Sequence, residues 1–125
     1  MIENIKKLGA SVGGYMGHSF SVDIDFKKGS AKYDVYEREY KPKSTETIIL
    51  SESKIKAFLK TLEKVKITEW KEHYPNPGIM DGTNWGIGIN FSSNKKFSSS
   101  GDNAFPVQWK TFCNGIEELL GKDFG

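Results

Sequence analysis

Residues 81–109 read DGTNWGIGINFSSNKKFSSSGDNAFPVQW, and this stretch decides which fold the chain is expected to adopt. In its first part, large apolar residues alternate with small or polar ones: Trp85, Ile87, Ile89 and Phe91 against Asn84, Gly86, Gly88 and Asn90. A period of two is typical of a strand with one buried face. A short turn, a second strand and Pro106 follow, so the stretch predicts a hairpin that leads into a helix.

Two glycines, Gly86 and Gly88, occupy the other face of the first of these strands. A glycine inside a strand weakens it and often marks the close approach of another backbone or of a ligand. The pair therefore has two interpretations: tight packing of sheets or subunits, and a ligand-binding surface. On the second interpretation, the loop before Pro106 completes the surface with Gly101, Asp102, Asn103 and Phe105.

Periodicity predicts four further strands ahead of a first helix. We expect them at residues 3–12, 20–26, 31–40 and 45–50. Ser51 is suited to cap the helix that follows, because its hydroxyl can accept from an amide of the first turn. Gly121 is suited to end a second helix that begins at Pro106.

The resulting order is β-β-β-β-α-β-β-α, and its connections are mostly of hairpin length. Such connections favour antiparallel pairing, since parallel strands need long crossovers. The sequence therefore predicts an α+β fold, with a mainly antiparallel sheet of about six strands and two helices packed on it. No linker or repeat divides residues 1–125, so we expect a single domain.

The composition argues against nucleic acid and membrane partners. Eighteen basic and sixteen acidic residues give a formal charge of +2, and Arg38 is the one arginine. A domain that binds duplexes usually carries a dense basic stripe, which this sequence lacks, so we expect no DNA or RNA partner. The first residues contain no apolar run as long as a signal peptide or membrane span needs. We therefore expect a cytoplasmic protein that does not bind membranes.

Residues suited to catalysis are few. The two histidines, His18 and His73, are far apart in sequence, and Cys113 lies on the apolar face of the second predicted helix. No spacing typical of metal ligands is present. We expect no catalytic residue, metal or cofactor, although His73 beside Tyr74 leaves a general base as an alternative.

Aromatic side chains provide the first group of candidate binding residues. Aromatic rings stack on nucleobases, which contributes on the order of 1–3 kcal/mol per base. The candidates are Tyr15, Trp70, Trp85, Phe91 and Phe105. For Trp85 and Phe91 the strand alternation also allows packing in the core, and both interpretations stay open.

Polar side chains and backbone amides provide the second group of candidate binding residues. The glycine-rich turn around Tyr15 and Met16 offers backbone amides to an anion, although a plain flexible turn is the alternative. Asn103 can recognise a base edge or sugar hydroxyl, or it can tie its loop to the following helix. The guanidinium of Arg38 can grip a phosphate with two hydrogen bonds, or pair with a neighbouring glutamate.

Three segments carry a resemblance to known proteins: GGYMGHSFSVDI (13–24), DGTNWGIGINF (81–91) and SSSGDNAFPVQW (98–109). They look like a group of small Firmicutes and phage proteins with a DGxxW strand, a hairpin and a G-x-N-x-[FY]-P loop that enters the last helix. Within that group, the chain is similar to the phage Thoeris anti-defence protein 1 family. The resemblance covers most of the chain.

This resemblance implies a non-enzymatic sponge. Such a protein captures cyclic ADP-ribose isomers (glycocyclic ADP-ribose) that TIR-domain immune enzymes make in the infected host cytoplasm, and so blocks Thoeris immunity. The family's aromatic and asparagine ligand contacts fall on Phe91 or Trp85 and on Asn103. The resemblance further implies a homo-oligomer that assembles through its sheets, and a second site for cyclic oligonucleotides near residues 13–17.

The sequence thus leads to one functional hypothesis and two rivals. The hypothesis is a homo-oligomeric domain, not an enzyme, that binds a cyclic nucleotide signal without degrading it. The first rival is a protein-interaction or structural domain with no small-molecule ligand. The second rival is a hydrolase that uses His73.

Overall fold

The computed structural model of the chain describes residues 4–14, 18–37, 44–75 and 83–124. Three predicted binding residues, Tyr15, Met16 and Arg38, lie outside the described residues and remain predictions. The strands are β1 (Ile5–Gly14), β2 (His18–Asp25), β3 (Ser30–Glu37), β4 (Ser44–Ile49), β5 (His73–Tyr74), β6 (Thr83–Phe91) and β7 (Lys96–Asp102). The helices are α1 (Glu52–Lys64) and α2 (Trp109–Leu120), with a short 3-10 helix at Ile67–Glu69.

The described strands form one sheet in the order β4-β3-β2-β1-β6-β7-β5. All neighbouring pairs are antiparallel except β5 and β7, which run parallel. The predicted α+β class and its mainly antiparallel sheet are confirmed. The strand count is seven rather than about six. The additional strand, β5, has only two residues, which is too short to leave a periodic signal in the sequence.

Both helices pack on the same face of the sheet, and the core lies between the two layers. Alternate residues of the central strands point into it, including Leu8, Val12, Ile24 and Ile87. From the helix layer, Phe58 of α1 stacks on Phe26 with 6.2 Å between ring centroids. Burial of a side chain of this size contributes roughly 1.5–3 kcal/mol, so the two-layer packing supplies most of the driving force for folding.

The outer face of the sheet carries the residues that alternate with the core positions. Gly9, Ser11 and Lys7 of β1 lie on this face, and so do Gly86 and Gly88 of β6. Most of its side chains are exposed or half-buried, and no described helix packs on it. The fold is therefore a single sheet with one covered and one open surface.

The helix ends follow the sequence signals with one exception. The Ser51 hydroxyl accepts from the Lys54 amide at 3.2 Å, and Gly121 ends α2 with a φ of 69°, so both predicted caps are confirmed. The predicted start of α2 at Pro106 is wrong by one turn, because the α-helix begins at Trp109. The Pro106 carbonyl accepts from the Trp109 amide at 3.0 Å, which makes residues 106–109 a separate turn ahead of the helix.

Among the described residues, no helix combines the length and the apolar composition needed to cross a membrane.

The buried thiol of Cys113 provides a test of this packing. It lies on α2 at 8 % exposure, and burial raises its pKa from an ordinary 9.0 to about 12. Because the thiolate is the reactive form, we expect the native protein to react with a disulfide reagent at mildly alkaline pH far more slowly than the protein unfolded in guanidinium chloride.

The same shift has a consequence for stability. The folded state favours the protonated thiol, so its contribution to stability is complete below pH 9.0 and is lost as the pH rises toward about 12. Thiol titration by absorbance, with the unfolded chain as the control, measures the reactivity, and urea unfolding at a series of pH values measures the change in stability. Equal reaction rates for native and unfolded protein would contradict the buried position.

Candidate functional site

The end of β7 and the loop before α2 bring together several of the predicted binding residues. We call this region the β7–α2 corner and define it by His73, Ser100, Asp102, Asn103 and Phe105. Asp102 and Phe105 are exposed and Asn103 is half-buried. The corner collects these groups because β7 lies between β6 and the short β5 in the sheet.

Hydrogen bonds to the neighbouring strand hold the loop of the corner. The backbone amide of Asn103 donates to the backbone carbonyl of Thr83 at 2.7 Å. The side-chain Oδ1 of Asn103 accepts from the backbone amide of Thr83 at 3.4 Å. Asn103 has a φ of 52°, in the left-handed region that asparagine tolerates better than most residues. These bonds tie the loop to β6, and the predicted tie of Asn103 to the following helix stays a prediction.

Trp85 holds the loop from the core side of the sheet. Its indole Nε1 donates to the Ala104 carbonyl at 2.8 Å. Gly101 lies so close to both groups that an added Cβ atom would be 2.8 Å from Trp85 Cε2 and closer still to the Ala104 oxygen. The glycine is thus required by a close approach within the chain, and the loop has little freedom to change its path.

The predicted stacking residues Trp85 and Phe91 lie in the core. Trp85 is 4 % exposed, and its ring centroid lies 4.7 Å from that of Trp109 and 6.1 Å from that of Trp70. Phe91 is 7 % exposed. Trp70 is buried as well, at 9 % exposure. Neither Trp85 nor Phe91 presents an open ring face to a ligand, so core packing is the correct interpretation for these two strand residues. The physical reason is that their strand face is the one that the helices cover.

Phe105 is placed differently. It is 39 % exposed, and its ring centroid lies 5.6 Å from that of the half-buried Trp109. Trp109 is a member of the site that the sequence assigned to the core alone, since its helical spacing gives no sign of partial exposure. Together, Phe105 and Trp109 form a small aromatic surface that is supported by Trp85 underneath.

The corner also brings three polar side chains together on the sheet side, through one hydrogen bond and one ion-pair contact. His73 Nδ1 lies 3.2 Å from the Ser100 Oγ, and His73 Nε2 lies 3.5 Å from the Asp102 Oδ2. With the proton on Nε2, the Nδ1 atom can accept from the Ser100 hydroxyl while the Nε2–H lies on the side of the Asp102 carboxylate, an order of groups similar to that of a proton relay. Sequence reasoning missed this grouping, because the parallel pairing of β5 with β7 that creates it joins segments far apart in the chain.

Two features of this chain count against efficient nucleophilic catalysis. The side chains of His73 and Asp102 are 49 % and 59 % exposed, so water surrounds the imidazole. The Ser100 amide donates to the Glu72 carbonyl at 3.0 Å, so it is not available to stabilise an oxyanion next to its own hydroxyl. The arrangement is equally suited to hydrogen bonding a polar ligand.

Within the described ranges, no group of three or more histidine, cysteine, aspartate or glutamate side chains is arranged to hold a metal ion.

The glycines of β6 have a different setting from Gly101. A Cβ atom added at Gly88 would meet no atom within 4 Å, and one at Gly86 would meet only the Ser11 Oγ at an ordinary 3.8 Å. Gly9 of β1 lies directly opposite Gly88. Packing within the described chain therefore does not require Gly88.

A groove between α1 and α2 has a volume of about 250 Å³. Ser53, Thr61, Gly115 and Glu118 are among the residues that line it. None of the predicted binding residues that the structure describes contributes to this groove.

Comparison with known proteins adds no assignment, since neither a protein-family model nor a curated protein matches the chain significantly. The resemblance to the anti-defence family therefore remains a prediction that rests on the three motifs.

A pair of matched substitutions tests the geometry of the corner. Gly101→Ala forces a methyl group against the Trp85 ring and the Ala104 carbonyl, and we expect it to lower the free energy of unfolding by roughly 1–3 kcal/mol. Gly88→Ala places the same methyl group in open space, so a change within about 0.5 kcal/mol is expected. Urea unfolding followed by tryptophan fluorescence measures both. Equal destabilisation by the two variants would contradict the described loop.

Proposed function

We propose that this protein binds a cyclic nucleotide signal of the cyclic ADP-ribose isomer class at the β7–α2 corner and holds it without chemical change. On this proposal the protein is a phage anti-defence sponge that blocks Thoeris immunity. The observation that carries it is the partly exposed Phe105 ring, supported by Trp109 on a loop that hydrogen bonds hold in place. The motif resemblance supplies the ligand class, and the corner supplies suitable contacts.

The aromatic surface is suited to an adenine base. An exposed ring lying on a second ring keeps its own face available, because the second ring restricts its rotation. Stacking of a base on such a ring contributes on the order of 1–3 kcal/mol. Phe105 thus takes the role that the sequence assigned to Trp85 or Phe91.

The polar side chains of the corner are suited to sugar hydroxyls and to phosphate. The Asp102 carboxylate accepts from hydroxyl donors, and the Ser100 hydroxyl both donates and accepts. Lys71 precedes β5, and its Nζ lies 5.9 Å from the centre of the Tyr74 ring, which brings a positive charge to this end of the sheet. A nucleotide needs both kinds of partner, since it combines hydroxyl groups with anionic oxygens.

The fixed loop favours tight binding. Ligand affinity is reduced by the entropy lost when a binding loop becomes ordered. Here Asn103 and Trp85 already hold the backbone through bonds to Thr83 and Ala104. A sponge must bind its signal more tightly than the downstream effector does, and a preformed site serves this requirement.

Substitution of the exposed aromatic residue tests the proposal. We expect Phe105→Ala to weaken binding of a cyclic ADP-ribose isomer by roughly 5- to 150-fold, the equivalent of one stacking contact. Val107→Ala is the matched control, because Val107 is a nearby apolar side chain that is 100 % exposed. Isothermal titration calorimetry gives both affinities. Asn103→Ala is less informative, since it also disturbs the bonds that hold the loop.

A hydrolase is the second candidate function, and the Ser100–His73–Asp102 chain is the observation that favours it. The same incubation separates the two candidates when it is followed by heat denaturation and chromatography of the released ligand. A sponge returns the ligand intact, whereas a hydrolase returns a product and loses activity in His73→Ala. If the protein binds none of the isomers, both candidates are removed, and the hypothesis of a protein-interaction domain without a small-molecule ligand is left.

We also propose that the protein self-associates through the outer face of its sheet. The support is the pairing of Gly9 with Gly88 across β1 and β6, with open space at the Cβ position of Gly88. We expect sedimentation velocity to give an oligomer for the natural protein and a monomer for Gly88→Lys, because the long charged side chain obstructs that surface and its Cβ atom has open space in its own chain. A monomeric natural protein, or an unchanged oligomer in the variant, would remove this proposal.

A further inference from the structure

The two edges of the sheet differ in length. One edge is β5, which has two residues and so offers little backbone to another chain. The other edge is β4 (Ser44–Ile49), and in the part of the chain that the structure describes no strand pairs with its outer side. An exposed edge strand presents a row of backbone N–H and C=O groups with which another strand can pair.

The β4 edge lacks features that commonly keep strand edges apart. A lysine, a proline or a bulge often serves this purpose. The residues of β4 read STETII, with neither lysine nor proline, and they include the β-branched side chains that strands favour. The pairing of β4 with β3 is continuous from Ser44 to Ile49. Its one charged residue, Glu46, lies 3.0 Å from the Lys122 Nζ, which balances that charge.

The polar backbone groups on the open side of β4 belong to alternate residues. The amide of Leu50, directly after β4, donates to the Gly29 carbonyl at 2.8 Å, so it points toward β3. Along an antiparallel strand, residues that bond to one neighbour alternate with residues that point away from it. Thr45, Thr47 and Ile49 therefore direct their N–H and C=O groups to the open side. The side chain of Ile49 is 81 % exposed as well.

A second copy of the chain fits this edge in an antiparallel register. A two-fold axis at Thr47 places Thr47 opposite its own counterpart and Thr45 opposite Ile49, and these are the residues that point outward. Three such pairs with two hydrogen bonds each give about six new bonds. Glu46 then faces Ile48 of the second copy, whereas an axis at Glu46 would place two like charges opposite each other, which is destabilising.

We propose that the β4 edge is an interface at which two copies of the chain join their sheets across a two-fold axis at Thr47. Each copy contributes one strand of about 20 Å, which is a small contact, so the dimer forms at high protein concentration. The interface is separate from the outer-face contact at Gly88, since β4 and β6 are four strand spacings apart, or about 19 Å. It does not depend on the ligand proposed for the β7–α2 corner.

An exchange of charges at Thr47 tests this register. The background is the full chain with Gly88→Lys, in which the outer-face contact is obstructed. We expect sedimentation equilibrium to show a monomer at about 10 µM and a dimer at about 1 mM, as suits a small interface. Thr47→Lys and Thr47→Glu each place like charges on the axis, so each alone weakens dimerisation at least about 5-fold. An equimolar mixture of the two restores the dimer, because a lysine then faces a glutamate.

A second variant tests the backbone pairing. Thr47→Pro removes an N–H that points to the open side and takes no bond from the pairing with β3, a position at which edge strands accept proline. We expect it to be monomeric over the whole concentration range, and thermal unfolding checks that it is folded. Ser53→Lys and Ser53→Glu are the matched controls, because Ser53 is an exposed residue of α1, and both are expected to dimerise normally.

Several results would overturn the proposal. They are a Gly88→Lys chain that stays monomeric at the highest concentration, equal dimerisation by Thr47→Pro, and equal loss of the dimer in the Ser53 controls. Loss of the dimer in both charge variants without recovery in their mixture would overturn the axis at Thr47. The outer-face proposal fails separately, through an unchanged oligomer in Gly88→Lys at low concentration.

Discussion

The contact between Trp85 and Trp109 is the interaction on which the organisation of this protein depends. Their ring centroids are 4.7 Å apart, and the same indole donates to the Ala104 carbonyl. Trp85 therefore joins β6, the loop before α2 and α2 itself in one packing unit. Tyr74 and Trp70 extend the unit to the segment that carries β5, with ring centroids 5.7 and 6.1 Å from Trp85. Without this buried ring, the loop loses its hydrogen bond at Ala104 and α2 loses its aromatic contact with β6.

A second constraint is that the helices cover only one face of the sheet. The two surfaces have different chemistry, since one is closely packed and apolar while the other is a mixture of glycine, serine and charged residues. Residues near the covered face are exposed only where the packing ends, as Phe105 is. Most residues of the open face are exposed or half-buried.

Local pattern in the sequence accounts for most of the fold. The alternation at residues 85–91, the cap at Ser51 and the stop at Gly121 each depend on neighbouring residues, and each is present as predicted. The same alternation correctly allowed Trp85 and Phe91 to be core residues. The candidate site was harder to predict, because its contacts join distant segments. The approach of His73 to Ser100 requires the pairing of β5 with β7. A strand of two residues is too short to show a periodicity from which that pairing could be predicted. The exposure of Phe105 depends on where α2 begins. The helix begins at Trp109, one turn later than the position of Pro106 predicted.

The position of β1 in the sheet has a consequence for how the chain is made. β1 is the first strand in the sequence, and it lies between β2 and β6, with Val12 opposite Trp85. On the ribosome, the four strands before α1 can therefore assemble early, but one edge of β1 stays unpaired until β6 has been synthesised. Contacts between such distant segments slow folding, and an unpaired strand edge is prone to association with other chains in the meantime. Gly9 of β1 and the glycines of β6 lie in this pairing, which forms last. The nascent protein therefore has its barest backbone at the strand edge that stays unpaired longest.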